Sequence, residues 1–561
     1  MKRKETYFMN TMIFKNLSAV IIIFALLLMA LQPVPASAKT TRTDTEFFVT
    51  EIPDTVGGGF EPHIIAGPGV DGNEWIYVDS PTGLGSGVSG NLWVTKDSGD
   101  SWEFIPKDPF VNFGSSGDSY TAISKEGYIY YTDLYLATAA IQTSLDGGDT
   151  WLQNPVASEY VLDDRQWLVI GPSVSPTAIQ DETLYFAFNQ IPAGLVMLRS
   201  ETSGTGMEWV PCNGGIPITT NGGYRDYFDV DQNDGTIYCP NGEGGSIYVY
   251  VSDNGGNTFS RELVDDAVQG QNIFISVAVG NDGNVYLVWA NQKDIYMAAS
   301  IDKAQTWSVH KVTNSSGTRV LPWITAGDAG MVGLVWYDTK RAGNSNNADD
   351  MDGAMWDLKC ALSINALDDE PEFLIATVEE DVHGGTISTG GLGGGADRDV
   401  GDFFTCDIDE TGRLITAYGK DGDDGANQRQ AVVMFARQME GPYLLLDSGA
   451  NATFTVSTDD LKVKADAEAS AGSDGEDIAE YVWDWGDGTS SNSTEPVSTH
   501  EYDTDGSYNI TLKVVDTLGM TGISTVTVNV EEGDESFLAG FDVVLLAISF
   551  LVVALVRRRT L

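Results

Sequence analysis

Basic residues are scarce in this 561-residue chain: 31 Lys and Arg stand against 81 Asp and Glu, a formal net charge of −50. That balance excludes nucleic acid as a partner, because phosphate backbones are bound through clustered Lys and Arg. It suits an exterior rich in salt or divalent cations, where carboxylates keep a protein dissolved; a merely soluble acidic surface accounts for it equally. Histidine is nearly missing, with four residues, and the four cysteines include no C-x-x-C pair, which excludes an ordinary zinc site. No stretch between the two ends carries a helical period, and long apolar runs are confined to those ends.

Both ends read as membrane signals. Lys-Arg-Lys at residues 2 to 4 precedes the apolar run from Ala19 to Leu31 and the small-residue site Ala36-Ser37-Ala38. This is the pattern of a signal peptide, 1–38, with an uncleaved anchor as the alternative. Phe537 to Val556 is apolar apart from Asp542 and is followed by Arg557-Arg558-Arg559. About 20 apolar residues span a bilayer, so 537–556 is expected to be a transmembrane helix, with 532–536 a stalk outside and the basic tail 557–561 in the cytoplasm. The bulk of the chain is then secreted and anchored to the cell membrane. The tail resembles archaeal C-terminal sorting signals, with Ala539-Gly540-Phe541 in place of Pro-Gly-Phe.

One polar turn returns along the chain in the form S/T-x-D-x-G-x-x-W. Two copies are full: Thr95, Asp97, Gly99, Trp102 and Ser144, Asp146, Gly148, Trp151. A third has Ser252, Asn254, Gly256 and Phe259; a fourth has Ser300, Asp302, Ala304 and Trp307; a worn one runs from Ser200 to Trp209. The carboxylate accepts from the turn's own N–H groups, Gly supplies a positive φ, and the ring plugs into a sheet below. This is a fold-holding turn with no catalytic part. It resembles the Asp-box of sialidase-like β-propellers, and the likeness runs from about residue 47 to 438.

Strand–turn–strand units accompany it, as in SYTAISKEGYIYYTD (119–133) and ISVAVGNDGNVYLVWA (275–290). Seven begin near residues 61, 117, 163, 225, 272, 319 and 400, and EFFVTEI (46–52) is placed to complete the last and close a ring. Past a short joint, YVWDWGDGTSSNSTEPVSTHEYDTDGSYNITLKVVD (481–516) resembles a PKD domain, an immunoglobulin-like sandwich. The expected fold is therefore all-β: a sialidase-like β-propeller over 45–440, of seven blades by repeat count or six by family resemblance, then a PKD β-sandwich over 450–531 and the transmembrane helix. The even cysteine count allows three disulfide pairings outside the cell. Cys212–Cys239 with Cys360–Cys406 is favoured, since each pair falls in neighbouring repeats.

In a propeller, the loops before the innermost strands line the axis. There the chain has Glu61 and His63, Asp118, Asp163-Asp164-Arg165, Tyr224-Arg225-Asp226-Tyr227, Asn272, Arg319, and Arg398 with Asp399 and Asp402. Arg165, Arg225, Arg319 and Arg398 converging would bind an anionic ligand through their rigid forks; pairing with neighbouring Asp residues makes them structural salt bridges instead. The sialidase resemblance implies an arginine triad drawn from these four, Tyr224 or Tyr227 as nucleophile, and Asp118 or Asp164 as acid. The family's Phe-Arg-Ile-Pro motif is absent, Glu-Pro-His stands in its place, and no Glu is adjacent to either Tyr, so whether the chain is an enzyme stays open.

NNADDMDG (346–353) and DGDDG (421–425) hold carboxylates in Gly loops, the ligands Ca²⁺ takes, yet without full EF-hand spacing; solvated acidic loops are the plainer reading. No other metal or cofactor is expected. The leading function is recognition of an acidic glycan or anionic surface polymer, for adhesion or nutrient capture. An exo-glycosidase for sialic-acid-like sugars is the alternative, and a structural protein of the cell envelope the third.

Overall fold

The turns chosen above as punctuation make the strands. In 275–290, Ser276–Val279 and Val285–Ala290 pair in antiparallel register, Val279 opposite Val285, around a turn whose Gly280 N–H donates to Asn284 O at 2.9 Å. Repetition of this unit gives an all-β chain. The computed structural model describes residues 45–531 except 54–57, 84–88, 108–116, 136–137, 155–162, 174–181, 191–192, 201–207, 220–225, 267–273, 391–395, 423–430, 446–449, 473–476 and 518–520. Among the described residues the helical element is one 3-10 turn, Cys212–Gly215.

Seven four-stranded antiparallel sheets precede the C-terminal sandwich. Sheets one to six use consecutive strands, starting from His63–Pro68, Ser119–Ile123, Asp163–Pro172, Asp229–Val230, Ser276–Val279 and Thr318–Ala326. Sheet seven starts with Thr405–Ile408 and takes its outer strand, Phe47–Glu51, from the beginning of the described chain, with Phe48 opposite Arg437. The starting strand of each sheet packs beside that of the next, and Thr405–Ile408 packs beside His63–Pro68.

The expectation of one closed propeller is corrected here. The sheets are separate four-stranded sheets, and no backbone ladder joins one to another. No described helix is long and apolar enough to cross a membrane. The segments 1–38, 532–536, 537–556 and 557–561, read as signal peptide, stalk, membrane helix and tail, lie outside the described residues.

Side chains fasten the seams instead. Asp118 accepts from Arg165 N–H at 3.1 Å, Asp226 from Ile275 N–H at 2.6 Å, Asp229 from Val279 N–H at 2.8 Å and Asp407 from Ala66 N–H at 2.8 Å. Each carboxylate thus satisfies an edge amide on the next sheet's starting strand, a group that is costly to bury unpaired.

The recurring turns add outer clamps with one shared geometry. The N–H of Gly99, Gly148, Gly256 or Ala304 donates to the leading hydroxyl at 2.8–2.9 Å. The Asp or Asn accepts from the N–H four residues on, at 2.8–3.0 Å. Gly99, at φ +99°, sits so close to the preceding sheet that a Cβ would lie 2.1 Å from the Phe435 ring. Ser363 and Asn365 form a related turn that the sequence pattern missed, because Asn365 accepts from Glu372 N–H at 3.0 Å, seven residues on rather than four.

The C-terminal sandwich pairs Thr455–Asp459, Lys462–Asp466 and Val497–Glu501 against a four-stranded sheet centred on Ile478–Asp484 and Gly506–Asp516. WDWGDG (483–488) is its fold-holding centre. Trp483 and Trp485 are buried and stacked at 5.6 Å, and Tyr502 Oη donates to Trp485 O at 2.8 Å. His500 stacks on Trp485 at 4.9 Å and meets Asp487 at 2.7 Å.

Candidate functional site

The site is built where the starting strands of the seven sheets come together. One ring arrives from each sheet: His63, Tyr120, Trp167, Tyr227, Phe274, Trp323 and Phe403. Trp167 lies at their centre, with centroids 5.2 Å from Phe403, 5.3 Å from Tyr120, and 5.6 Å from Tyr227 and Phe274. His63 stacks on Tyr120 at 3.7 Å. These edge-to-face contacts make a solid aromatic layer.

Arg165 rests on that layer, its guanidinium 4.8 Å from the Phe403 centroid and 5.0 Å from that of Phe274. A bulge between Asp164 and Gln166 aims it there, with Arg165 at φ +51°. Its two terminal nitrogens donate to Glu61 at 3.0 and 3.2 Å, and Nη2 also donates to Asp402 at 3.1 Å. Asp118 lies 3.7 Å away. Arg398 joins from the far side, donating to Asp402 at 2.9 Å and Glu61 at 3.3 Å. Glu61 shares the left-handed conformation, φ +51°, and packs on Gly401, where a Cβ would come within 2.2 Å of its side chain.

Burial and charge set the protonation of this cluster. Burial pushes Asp118 up to about 8, assisted by the Glu61 and Asp164 carboxylates and opposed by Arg165. Burial and the Glu61 charge push Asp402 up to about 6, against the pull of both arginines. Glu61 is held low: burial raises it, but Arg165 and Arg398 together more than offset that. Asp118 is thus the carboxyl of the cluster most inclined to hold a proton, while Glu61 faces both guanidinium groups.

Of the residues the sequence placed before the innermost strands, Glu61, Asp118, Arg165, Arg398 and Asp402 meet here, and Asp164 is half-buried beside them. Arg319 does not join them in any ion pair. It is fully buried, its Nε 2.7 Å from Asp338 Oδ2 but off the hydrogen-bond axis, and it also donates to Lys293 O. Tyr227 belongs to the aromatic layer, where burial raises its phenol far above the usual range. Tyr224 and Arg225 lie outside the described residues. Tyr–Glu contacts do occur, on other strands: Tyr418 donates to Glu379, which Lys420 also holds, and Tyr250 donates to Glu243, paired with Arg261. Separations of 39 and 7 residues gave no signal for them.

Neither expected disulfide is formed in this structure: all four cysteines are free and buried. Burial pushes Cys212 and Cys360 up to about 12 and raises Cys239 and Cys406 too, so little reactive thiolate forms. Among the described residues no three His, Cys, Asp or Glu side chains gather as a metal-holding group. In 346–353 the polar side chains serve the loop itself: Asn347 accepts from Asp349 and Asp350 N–H at 2.8 and 3.2 Å, and Asp350 from Asn344 N–H at 2.9 Å. Residues 423–425 of the second acidic loop are outside the described set.

Comparison with known proteins identifies the sandwich. A family model of the PKD domain matches residues 449–530, so the C-terminal module is a PKD domain. The chain is similar to the microbial collagenase of Vibrio alginolyticus, 43% identical over 51 residues, which is 9% of this chain and 6% of that protein. The chain thus spans a small fraction of that relative's length. It is also similar to the PKD1 domain of Vibrio anguillarum Epp, at 32% identity, over 16% of this chain and 99% of that one, with a TM-score of 0.14. The NanB sialidase from Streptococcus pneumoniae matches 70% of each chain at 13% identity and a TM-score of 0.38. A likeness that remote carries no statement about activity.

Proposed function

We propose that the protein is an extracellular carbohydrate-recognition protein, serving adhesion or nutrient capture, and not a glycosidase. The observation that carries this reading is the five-residue cluster of Glu61, Asp118, Arg165, Arg398 and Asp402, held at the converging ends of four sheets. A buried ion network is a weak source of stability, since desolvation offsets much of the attraction. Strongly shifted carboxyl groups gathered at one place are candidates for a functional site. The PKD module supports an extracellular setting.

Hydrolysis is disfavoured on geometry. Glu61 and Asp118 are within hydrogen-bond reach of each other, which disfavours a two-carboxylate glycosidase, whose carboxyl pair stands about 5 Å or more apart. Tyr227 is locked among rings and, among the described residues, no carboxylate is bonded to its hydroxyl, unlike an activated nucleophile. Arg165 and Arg319 are spent on internal partners, so the glycan need not be acidic.

The test is the full chain on a glycan array, beside turnover assays on fluorogenic sialosides and uronides. Binding without turnover is the expected outcome. Turnover that disappears in Asp164→Ala would overturn it. A blank array with no turnover would favour a structural envelope protein, the reading to which the internal pairing of Arg165 also lends weight.

A further inference from the structure

Arg398 and Asp402 touch through only half of what each can offer. Arg398 Nη2 donates to Asp402 Oδ2 at 2.9 Å and to Glu61 Oε1 at 3.3 Å. The other halves, Arg398 Nη1 and Asp402 Oδ1, are buried with no hydrogen-bond partner. An Arg–carboxylate contact often closes as a two-bond fork, and buried polar atoms left without partners are few in folded proteins. Here an open donor and an open acceptor belong to two residues already in contact. Asp402 is 3% exposed, while the Arg398 side chain is 28% exposed. The two open atoms themselves are enclosed, so a ligand reaches them only when the Arg398 side chain, the more exposed of the two, turns aside. Gln166 Oε1 is a further open acceptor on the same network, its amide nitrogen donating to Asp118 O at 2.8 Å.

Charge selects the class of ligand. Arg165 and Arg398 already hold Glu61 and Asp402 through hydrogen bonds. An anionic ligand would have to displace an internal carboxylate and leave it buried and unpaired, a strongly unfavourable exchange. A cation would face two guanidinium groups. An uncharged group that accepts one hydrogen bond and donates another from neighbouring atoms satisfies both open positions, and two adjacent hydroxyls do this.

We infer that Arg398 and Asp402 form a binding fork for the vicinal diol of an uncharged sugar. One hydroxyl oxygen accepts from Arg398 Nη1, and the adjacent hydroxyl donates to Asp402 Oδ1. This rests on the recognition reading above and narrows it from glycans in general to uncharged ones.

The experiment is saturation-transfer NMR on the full chain at pH 7. The probes are the methyl glycosides of mannose, galactose and glucose, their 2-deoxy and 3-deoxy analogues, and N-acetylneuraminic acid with its methyl ester. At least one neutral glycoside is expected to bind, and removing one hydroxyl of its diol should weaken it about tenfold or more. Asp402→Asn and Arg398→Lys should each cause a loss of similar size while melting close to the parent protein. The lysine variant keeps the charge but loses the fork, so it tests the geometry even where the asparagine variant folds poorly. Neutral glycosides bound equally well by both variants would overturn the fork. Binding confined to N-acetylneuraminic acid and lost in its ester would overturn this inference and leave recognition standing. No binding of any probe would overturn both.

Discussion

Arg165 and Glu61 meet in a two-bond fork of 3.0 and 3.2 Å across 104 residues of sequence. The fork joins the start of the third sheet to the start of the first, and Asp402 brings in the seventh. Removing the guanidinium leaves buried carboxylates facing one another, which typically destabilises a protein by about 3–5 kcal/mol. Arg165→Met should therefore lower the unfolding free energy by about that much in urea titration. Adding Glu61→Gln should recover part of the loss, because the uncompensated charge is then gone. A single variant as stable as the parent would show that the fork contributes nothing.

The same fork shows what the sequence could and could not disclose. The recurring turns were legible because every bond in them lies within an eight-residue window. Arg165 was legible as a residue poised before an inner strand, since DDRQW sets it beside an aromatic run. Glu61 and Asp402 were legible as residues before other inner strands but not as its partners, since the sequence pointed to neighbouring Asp residues and only the packing of separate sheets brings these two into contact with Arg165. His63 read as one of the polar residues before the inner strands, yet it forms part of the aromatic layer through Tyr120. Repetition predicted strands and turns, but carried no information on whether adjacent sheets share a ladder. Here they are fastened by Asp118, Asp226, Asp229 and Asp407 instead. Cysteine parity likewise gave a count of thiols and not their oxidation state.

Those seam carboxylates make stability depend on pH. Burial pushes Asp118 up to about 8, Asp229 to about 7, and Asp402 and Asp407 to about 6. In the unfolded chain an aspartate titrates near 3.9. Between about pH 4 and those folded values the native state holds more protons than the unfolded state, so stability falls as pH rises. Below about pH 4 the sign reverses. Asp97, Asp146 and Asp302 are held low by hydrogen bonds from Ser101, Thr150 and Thr306, and those contributions are lost on protonation. Urea unfolding should therefore show greater stability near pH 5 than at pH 8, and Asp229→Asn should flatten the slope. Greater stability at pH 8 would contradict the assignment.

Gly99 separates steric clash from backbone strain. Gly99 and Gly214 both adopt positive φ, +99° and +64°, so an alanine at either is strained. A Cβ at Gly214 meets nothing within 4 Å, whereas one at Gly99 meets the Phe435 ring at 2.1 Å. Gly214→Ala should cost about 1 kcal/mol, the conformational part alone. Gly99→Ala should cost about 2 kcal/mol or more, since the turn must also lift from the sheet it clamps. Equal losses in chemical denaturation would mean that the turn does not bear on Phe435.

The cysteines allow the disulfide question to be decided by reactivity. Cys212 and Cys239 are near enough to influence each other electrostatically, as are Cys360 and Cys406, so distance alone does not keep them reduced. What opposes oxidation is the scarcity of thiolate, because burial holds all four thiols in the protonated form that neither attacks a disulfide nor reacts readily with alkylating agents. The native full chain should resist alkylation at pH 8, and denaturation without reductant should expose four reactive thiols by mass spectrometry. A parent mass lower by two or four hydrogens, with fewer thiols released, would show that the neighbouring pairs do oxidise. The seams that hold Cys239 and Cys406 would then be covalently reinforced outside the cell, and the stability assigned above to buried carboxylates and rings would have to be shared with those bonds.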